Sequence, residues 1–131
     1  SLARERLAQI AFGEARARRR LNRLVHPVVM QAIAERIRSA ETPLMLIEVP
    51  LLIEVAFQGL FDGIVVVQAT PALQYHRLRE RGVPASLARQ ILRSQLPTRA
   101  KIPFADWVIR THRSLDHTFA QVQRVWHDLT A

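Results

Sequence analysis

The chain has 131 residues, 49% hydrophobic and 23% charged, which suits one domain or part of one and argues against a disordered tract. It contains no cysteine, so disulfides and thiolate metal sites are excluded. The formal net charge of +8 rests almost wholly on arginine, with Lys101 the sole lysine. Arginine forks bind phosphate bidentately, so this balance favours anionic partners such as nucleotides, coenzymes or nucleic acid. A GC-rich genome would raise arginine content with no functional cause.

No apolar run approaches the roughly 18–20 residues of a membrane span. The opening SLARER has no apolar signal core and no initiator Met, and it starts inside a helical pattern. The chain is therefore expected to begin mid-protein, and a cytoplasmic location is expected.

Leu2, Leu7, Ile10 and Ala11 recur at helical spacing and predict a helix ending near Gly13. A second helix is predicted from Glu14 through EARARRRLNRLV, with Leu21, Leu24 and Val25 as its apolar stripe and strongly basic other faces. Pro27 fits the first turn of a third helix reaching about Ala40, which puts His26 and Pro27 at a helix–helix junction.

The pattern then changes. LMLIEV at 44–49 and IVVV at 64–67 are short runs rich in strand formers, and both read as parallel strands buried on two faces. Thr70 and Pro71 open a helix that stops near Gly82. Ser86 starts another, and residues 107–109 give a third short strand. Ser114 caps a last amphipathic helix through Leu115, Phe119, Val122, Val125, Trp126 and Leu129. Strands alternating with helices predict an α/β fold with a parallel sheet, and the opening helices form a subdomain beside it.

A phosphate-cradling loop needs clustered glycines followed by Lys and Ser/Thr, and none of Gly13, Gly59, Gly63 or Gly82 precedes such a pair. No metal spacing joins the five histidines, and no serine sits in a GxSxG elbow. His26 reads either as a helix-end cap or as a site residue. VPLLIE at 49–54 follows a predicted strand, so Glu54 is either a solvated residue at an ordinary strand exit or a group beside a ligand crevice. Arg77 and Arg81 share a helix face, as a solvated basic face or as a polyphosphate grip. Lys101 is a phosphate ligand or a surface lysine, and Asp106 a cap or a functional carboxylate.

The order of these segments is more specific than any one of them. LNRLVHP, VPLLIE, IVVV, RLRER, QILRSQ and K…AD.VI together resemble the dephospho-CoA kinase family along nearly the whole chain. The resemblance implies a P-loop NTPase-like parallel-sheet core, a helical coenzyme-A-binding subdomain at residues 1–42, core segments at 43–70 and 103–131, and a lid at 71–102. It implies transfer of the γ-phosphoryl of ATP, with Mg²⁺ in the substrate complex, to the ribose 3′-hydroxyl of dephospho-CoA.

His26, Pro27, Pro50, Leu51, Leu52 and Glu54 are then the acceptor-site residues. Arg77, Arg81, Lys101 and Thr111 are the ATP-binding residues, with Arg77 also meeting transition-state charge. Gln95 matches the return of the lid. Thr111 and Arg113 stand where the family usually has Asn and then Gly, a departure at the adenine loop. The family's first strand, its GxxGSGKS loop and the Asp-containing segment to which the general base is ascribed all precede the matched region, and the resemblance implies no metal ligand among these residues.

Two other readings stay open: a non-catalytic CoA- or nucleotide-binding module, and a basic nucleic-acid-binding protein using residues 16–23. Scarce aromatics oppose the latter, and no nucleic-acid or membrane partner is expected. The runs at 44–49 and 64–67 should expose apolar sheet surface in the 131-residue chain. Light scattering should show it to aggregate, and a monodisperse monomer with a sharp unfolding transition would contradict this.

Overall fold

The computed structural model describes residues 2–131. Ser1, on which the expectation of a mid-protein start partly rests, lies outside them. Two compact units divide after Leu60, the second being Phe61–Ala131.

In the first unit, α1 (Leu2–Gly13) packs on α2 (Ala15–Arg38). The break falls where predicted: Glu14, at φ −122° and ψ 114°, is extended and interrupts the helical backbone. The second predicted break is not observed. α2 is one 24-residue helix with Pro27 inside it, so His26 and Pro27 occupy mid-helix and no helix–helix junction. An internal proline costs about 3 kcal/mol through its missing N–H and its clash with the preceding turn. The helix nevertheless continues through Pro27, with good helix formers such as Leu21, Leu24, Gln31 and Ala32 further out on either side. Among the described residues of this unit, Ala11, Ile33 and Phe57 are the buried apolar ones.

The strand expected at 44–49 does not form. A strand exists through its ladder, and the sheet among the described residues contains only two strands, neither of them from this segment. Leu46 is 87% exposed, the opposite of a position buried on two faces. The segment leads into a tight turn and a 3-10 turn, Gln58–Leu60.

The second unit is α/β. Strand β1 (Val65–Gln68) pairs in parallel with β2 (Trp107–Arg110), in register from Val65 opposite Trp107 to Gln68 opposite Arg110. Parallel strands need a long crossover. Here it holds α3 (Pro71–Glu80), α4 (Ala85–Ser94), α5 (Thr98–Lys101) and a 3-10 turn at Ile102–Phe104. Helix α6 (Leu115–Thr130) follows β2 and packs on it. Val66 and Ile109 are buried while Val67 is 60% exposed, so β1 is covered on one face and not on both as predicted.

Local chemistry sets the element ends. Thr70 Oγ1 accepts from the Leu73 N–H at 3.3 Å, and Pro71 takes the first helical position of α3. That helix ends in a left-handed Gly82 at φ +82°, where the Gly82 N–H reaches the Arg79 carbonyl and the Val83 N–H reaches that of Leu78. These crossed bonds form a Schellman stop. Helix α4 starts at Ala85, one residue ahead of the predicted Ser86 and directly behind Pro84. Ser114 does cap α6, its Oγ accepting from the His117 N–H at 3.3 Å.

Asp106 is a structural cap: Oδ2 accepts the Ile64 N–H at 2.8 Å just ahead of the ladder. A Cβ at Gly63 would lie 2.8 Å from the Trp107 ring, so glycine permits the close approach there.

Helix α6 turns an unexpected face to the sheet. Of its apolar stripe, Leu115, Phe119, Val122 and Trp126 are exposed, and the most buried residue is Gln121. Its Oε1 accepts from the Arg110 N–H at 2.9 Å, and its Nε2 donates to the Arg110 carbonyl at 2.8 Å. The amide thus pairs with the outer edge of β2 as a further strand would, which satisfies two backbone groups at once. No helix of the described residues is long and apolar enough to cross a membrane. Replacing Gln121 with Leu should leave both Arg110 groups unpaired and destabilise the second unit by about 1–3 kcal/mol, read by urea denaturation.

Candidate functional site

Two groups of the predicted residues are brought together locally, one in each unit.

In the first unit, residues 50–57 fold into a compact turn. The Val55 N–H reaches the Leu51 carbonyl at 3.1 Å, the Ala56 N–H that of Ile53, and the Phe57 N–H that of Leu52. Ala56 takes the left-handed conformation at φ 57°, so this too is a Schellman arrangement, with alanine in the place glycine prefers. Pro50 therefore opens a helical-type turn; it does not end a sheet ladder. Leu51, Leu52 and Glu54 are half-buried within the turn, and Pro50 is exposed.

Phe57, 5% exposed, anchors the end of the turn. The His26 ring meets it edge-on, with centroids 5.9 Å apart and planes at 72°. Such an aromatic pair is worth about 0.5–1.5 kcal/mol beyond its buried area. His26 is thereby tied to the turn, while Pro27, one residue on, is exposed. Phe57 was not singled out in the sequence; an aromatic closing an apolar run was its one signal.

In the second unit the predicted residues that come together do so at the carboxyl ends of the strands, the edge at which open α/β sheets in general bind ligands. Thr111 follows β2 directly. Its N–H donates to the Gln68 carbonyl at 3.0 Å, and its hydroxyl donates to the same oxygen at 3.2 Å. Arg77, on α3, donates from Nη1 to Thr111 Oγ1 at 2.9 Å and from Nη2 to the Thr111 carbonyl at 2.7 Å. Both acceptors are neutral, so the guanidinium is held in place with its charge uncompensated at this contact.

Gln74, one turn earlier on α3, donates from Nε2 to Thr98 Oγ1 at 2.6 Å and to the Ala69 carbonyl at 3.0 Å. This ties α3 to the start of α5 and to the end of β1. Neither Gln74, Thr98 nor Gln68 was legible as a site residue, because their partners lie 24 to 43 residues away in sequence.

The other predicted residues are more dispersed. Arg81 sits at the end of α3, exposed, and does not join Arg77 on Thr111. Lys101 closes α5 and is half-buried. Gln95 follows α4, half-buried. Among the described residues no three His, Cys, Asp or Glu side chains gather as a metal-ligand group.

A parallel strand pair with a helical crossover and an arginine fixed at its carboxyl edge defines an α/β protein of the parallel-sheet class. The family model described as dephospho-CoA kinase matches residues 1–117. Among curated relatives, a dephospho-CoA kinase of Frankia casuarinae is 35% identical over 131 residues, covering 99% of this chain and 57% of that protein. One of Thermosynechococcus vestitus is 36% identical over 127 residues, covering 96% of this chain and 63% of that one. The crystal structure of TT1252 from Thermus thermophilus superposes with a TM-score of 0.76 at 29% identity, covering 98% of this chain and 68% of that chain. The chain belongs to the dephospho-CoA kinase family. It spans about six tenths of the length of these two curated relatives.

The left-handed Ala56 carries a conformational cost of roughly 1–2 kcal/mol that glycine avoids. Ala56→Gly should therefore raise stability by up to about 1 kcal/mol, the gain being offset in part by the freer unfolded chain, and a chemical denaturation curve measures this.

Proposed function

We propose that the protein carrying this chain is an ATP-dependent dephospho-CoA kinase, and that these residues supply its acceptor side and its lid. The core is then a P-loop NTPase-like sheet of which β1 and β2 are two strands. The observation that carries the reading is the placement of Arg77 beside Thr111 at the carboxyl ends of β1 and β2, its charge unmatched by a carboxylate there, in a chain of this family.

Phosphoryl transfer asks little covalent chemistry of a protein; it needs in-line positioning and neutralisation of charge spread over the equatorial oxygens. Arg77 fits that role, held by neutral groups and ready to meet phosphate. Arg81 and Lys101, on the same lid, add positive charge along the polyphosphate and exclude water when the site closes. Thr111 belongs to the loop on the nucleotide side.

His26, Pro27, Pro50, Leu51, Leu52 and Glu54 form the acceptor side, where the His26–Phe57 contact holds the turn that presents Leu51, Leu52 and Glu54. ATP enters as its Mg²⁺ complex, a substrate, and dephospho-CoA is the other; both are anions and suit the +8 charge. Activity also needs a glycine-rich phosphate loop, which these 131 residues do not contain. The reaction belongs to cytoplasmic coenzyme A synthesis.

The test is an assay of the full protein with ATP, Mg²⁺ and dephospho-CoA, following 3′-phosphorylated product. Product formation is expected, and Arg77→Ala should lower kcat/KM for ATP roughly 100-fold, the scale for loss of one charge-stabilising donor. No product from the folded full protein would overturn the reading.

A further inference from the structure

Thr111 is half-buried. A threonine hydroxyl has one proton to donate and lone pairs to accept with. The proton of Thr111 goes to the Gln68 carbonyl at 3.2 Å, and a lone pair takes the Arg77 Nη1–H at 2.9 Å. The backbone carbonyl takes Arg77 Nη2 at 2.7 Å, and the backbone N–H is bound to Gln68 at 3.0 Å. Every one of these groups already has a partner within the second unit.

The same contacts decide how the guanidinium is presented. A guanidinium has five N–H donors in a rigid plane. Thr111 occupies one donor on each terminal nitrogen, the end-on fork. The side-on fork, Nε–H with the adjacent Nη–H, lies along another edge of the same plane and matches two oxygens of a phosphate. Arg77 can therefore hold Thr111 and a phosphate together. Gln68 ends β1 and Thr111 follows β2, so the orientation of that free edge is referenced to both strands at once. An arginine ordered before the ligand arrives loses less freedom on binding.

We propose that Thr111 is a positioning residue, which acts on the nucleotide phosphate by aiming Arg77 and does not itself touch the nucleotide. The inference rests on Arg77 being a phosphate ligand, as proposed above, and refines how that ligand is set.

A double-mutant cycle on the full protein tests it. Thr111→Val removes the hydroxyl at nearly constant volume and should lower kcat/KM for ATP about tenfold, the scale of one hydrogen bond to a charged group. Thr111→Ser restores the hydroxyl and should recover most of that loss. In an Arg77→Ala background, Thr111→Val should change kcat/KM less than twofold, because there is no guanidinium left to aim. Nitrogen-15 spectra of the arginine side chains should show restricted Arg77 Nη protons in the parent and in Thr111→Ser, and averaged ones in Thr111→Val.

If Arg77→Ala leaves ATP kinetics unchanged, the phosphate reading fails and takes this proposal with it. If Arg77→Ala is impaired but Thr111→Val is additive with it, or is silent, Thr111 does not position Arg77 and the proposal alone is overturned. Thermal unfolding of each variant separates a general loss of stability, which would lower the melting temperature without producing the coupling.

Discussion

Parallel strands cannot be joined by a tight turn, and the second unit is organised by that constraint. Between Gln68 and Trp107 the chain must travel back along the sheet before it can pair again, and α3, α4 and α5 occupy the return. The same constraint brings the carboxyl ends of β1 and β2 side by side, so that Gln68 and Arg110 are opposite one another and Thr111 emerges beside the Gln68 carbonyl. Asp106 secures the opposite end through the Ile64 N–H. On the outer edge of β2, the Gln121 amide stands in for a neighbouring strand at Arg110. The ladder is only four residues per strand, and these side chains extend its hydrogen bonding beyond what the backbone alone supplies.

What the strand ends offer to chemistry follows from which acceptors they present. Thr111 meets Arg77 with a hydroxyl and a carbonyl, so the arginine is fixed without losing its charge to a carboxylate. An Asp or Glu in that place would bind the guanidinium more strongly and neutralise its charge. In the first unit the organising contact is apolar. Phe57 is buried, the His26 ring packs against it, and the turn carrying Leu51, Leu52 and Glu54 closes on the strained Ala56. Strain of this kind is often held at sites of ligand contact. Ala56 adjoins the segment that the proposed function assigns to the acceptor.

Several elements were legible from residues alone because their causes are local. Thr70–Pro71 and Gly82 delimit α3, Ser114 opens α6, and the β-branched run at 64–67 gives β1 to within one residue. The order of LNRLVHP, VPLLIE, RLRER and AD.VI was enough to indicate the family, and the family match over residues 1–117 agrees. The misreadings have a common cause. Pro27 weakens a helix but does not dictate whether the flanks continue, and a run such as 44–49 becomes a strand only when a partner is beside it.

The sequence by itself determined the caps at Thr70 and Ser114, the stop at Gly82, the α/β character, and the family to which the chain belongs. It also singled out Arg77 and Thr111, though not as partners. Only the tertiary structure decided that Arg77 spends two donors on Thr111 while Arg81 stays at the surface, that His26 packs on Phe57, and that α6 buries Gln121 in place of its apolar stripe. Each of these depends on groups that are distant along the chain. Local rules fix where a helix starts, whereas the partner of a side chain depends on which elements the parallel ladder and the helix packing bring within hydrogen-bonding reach.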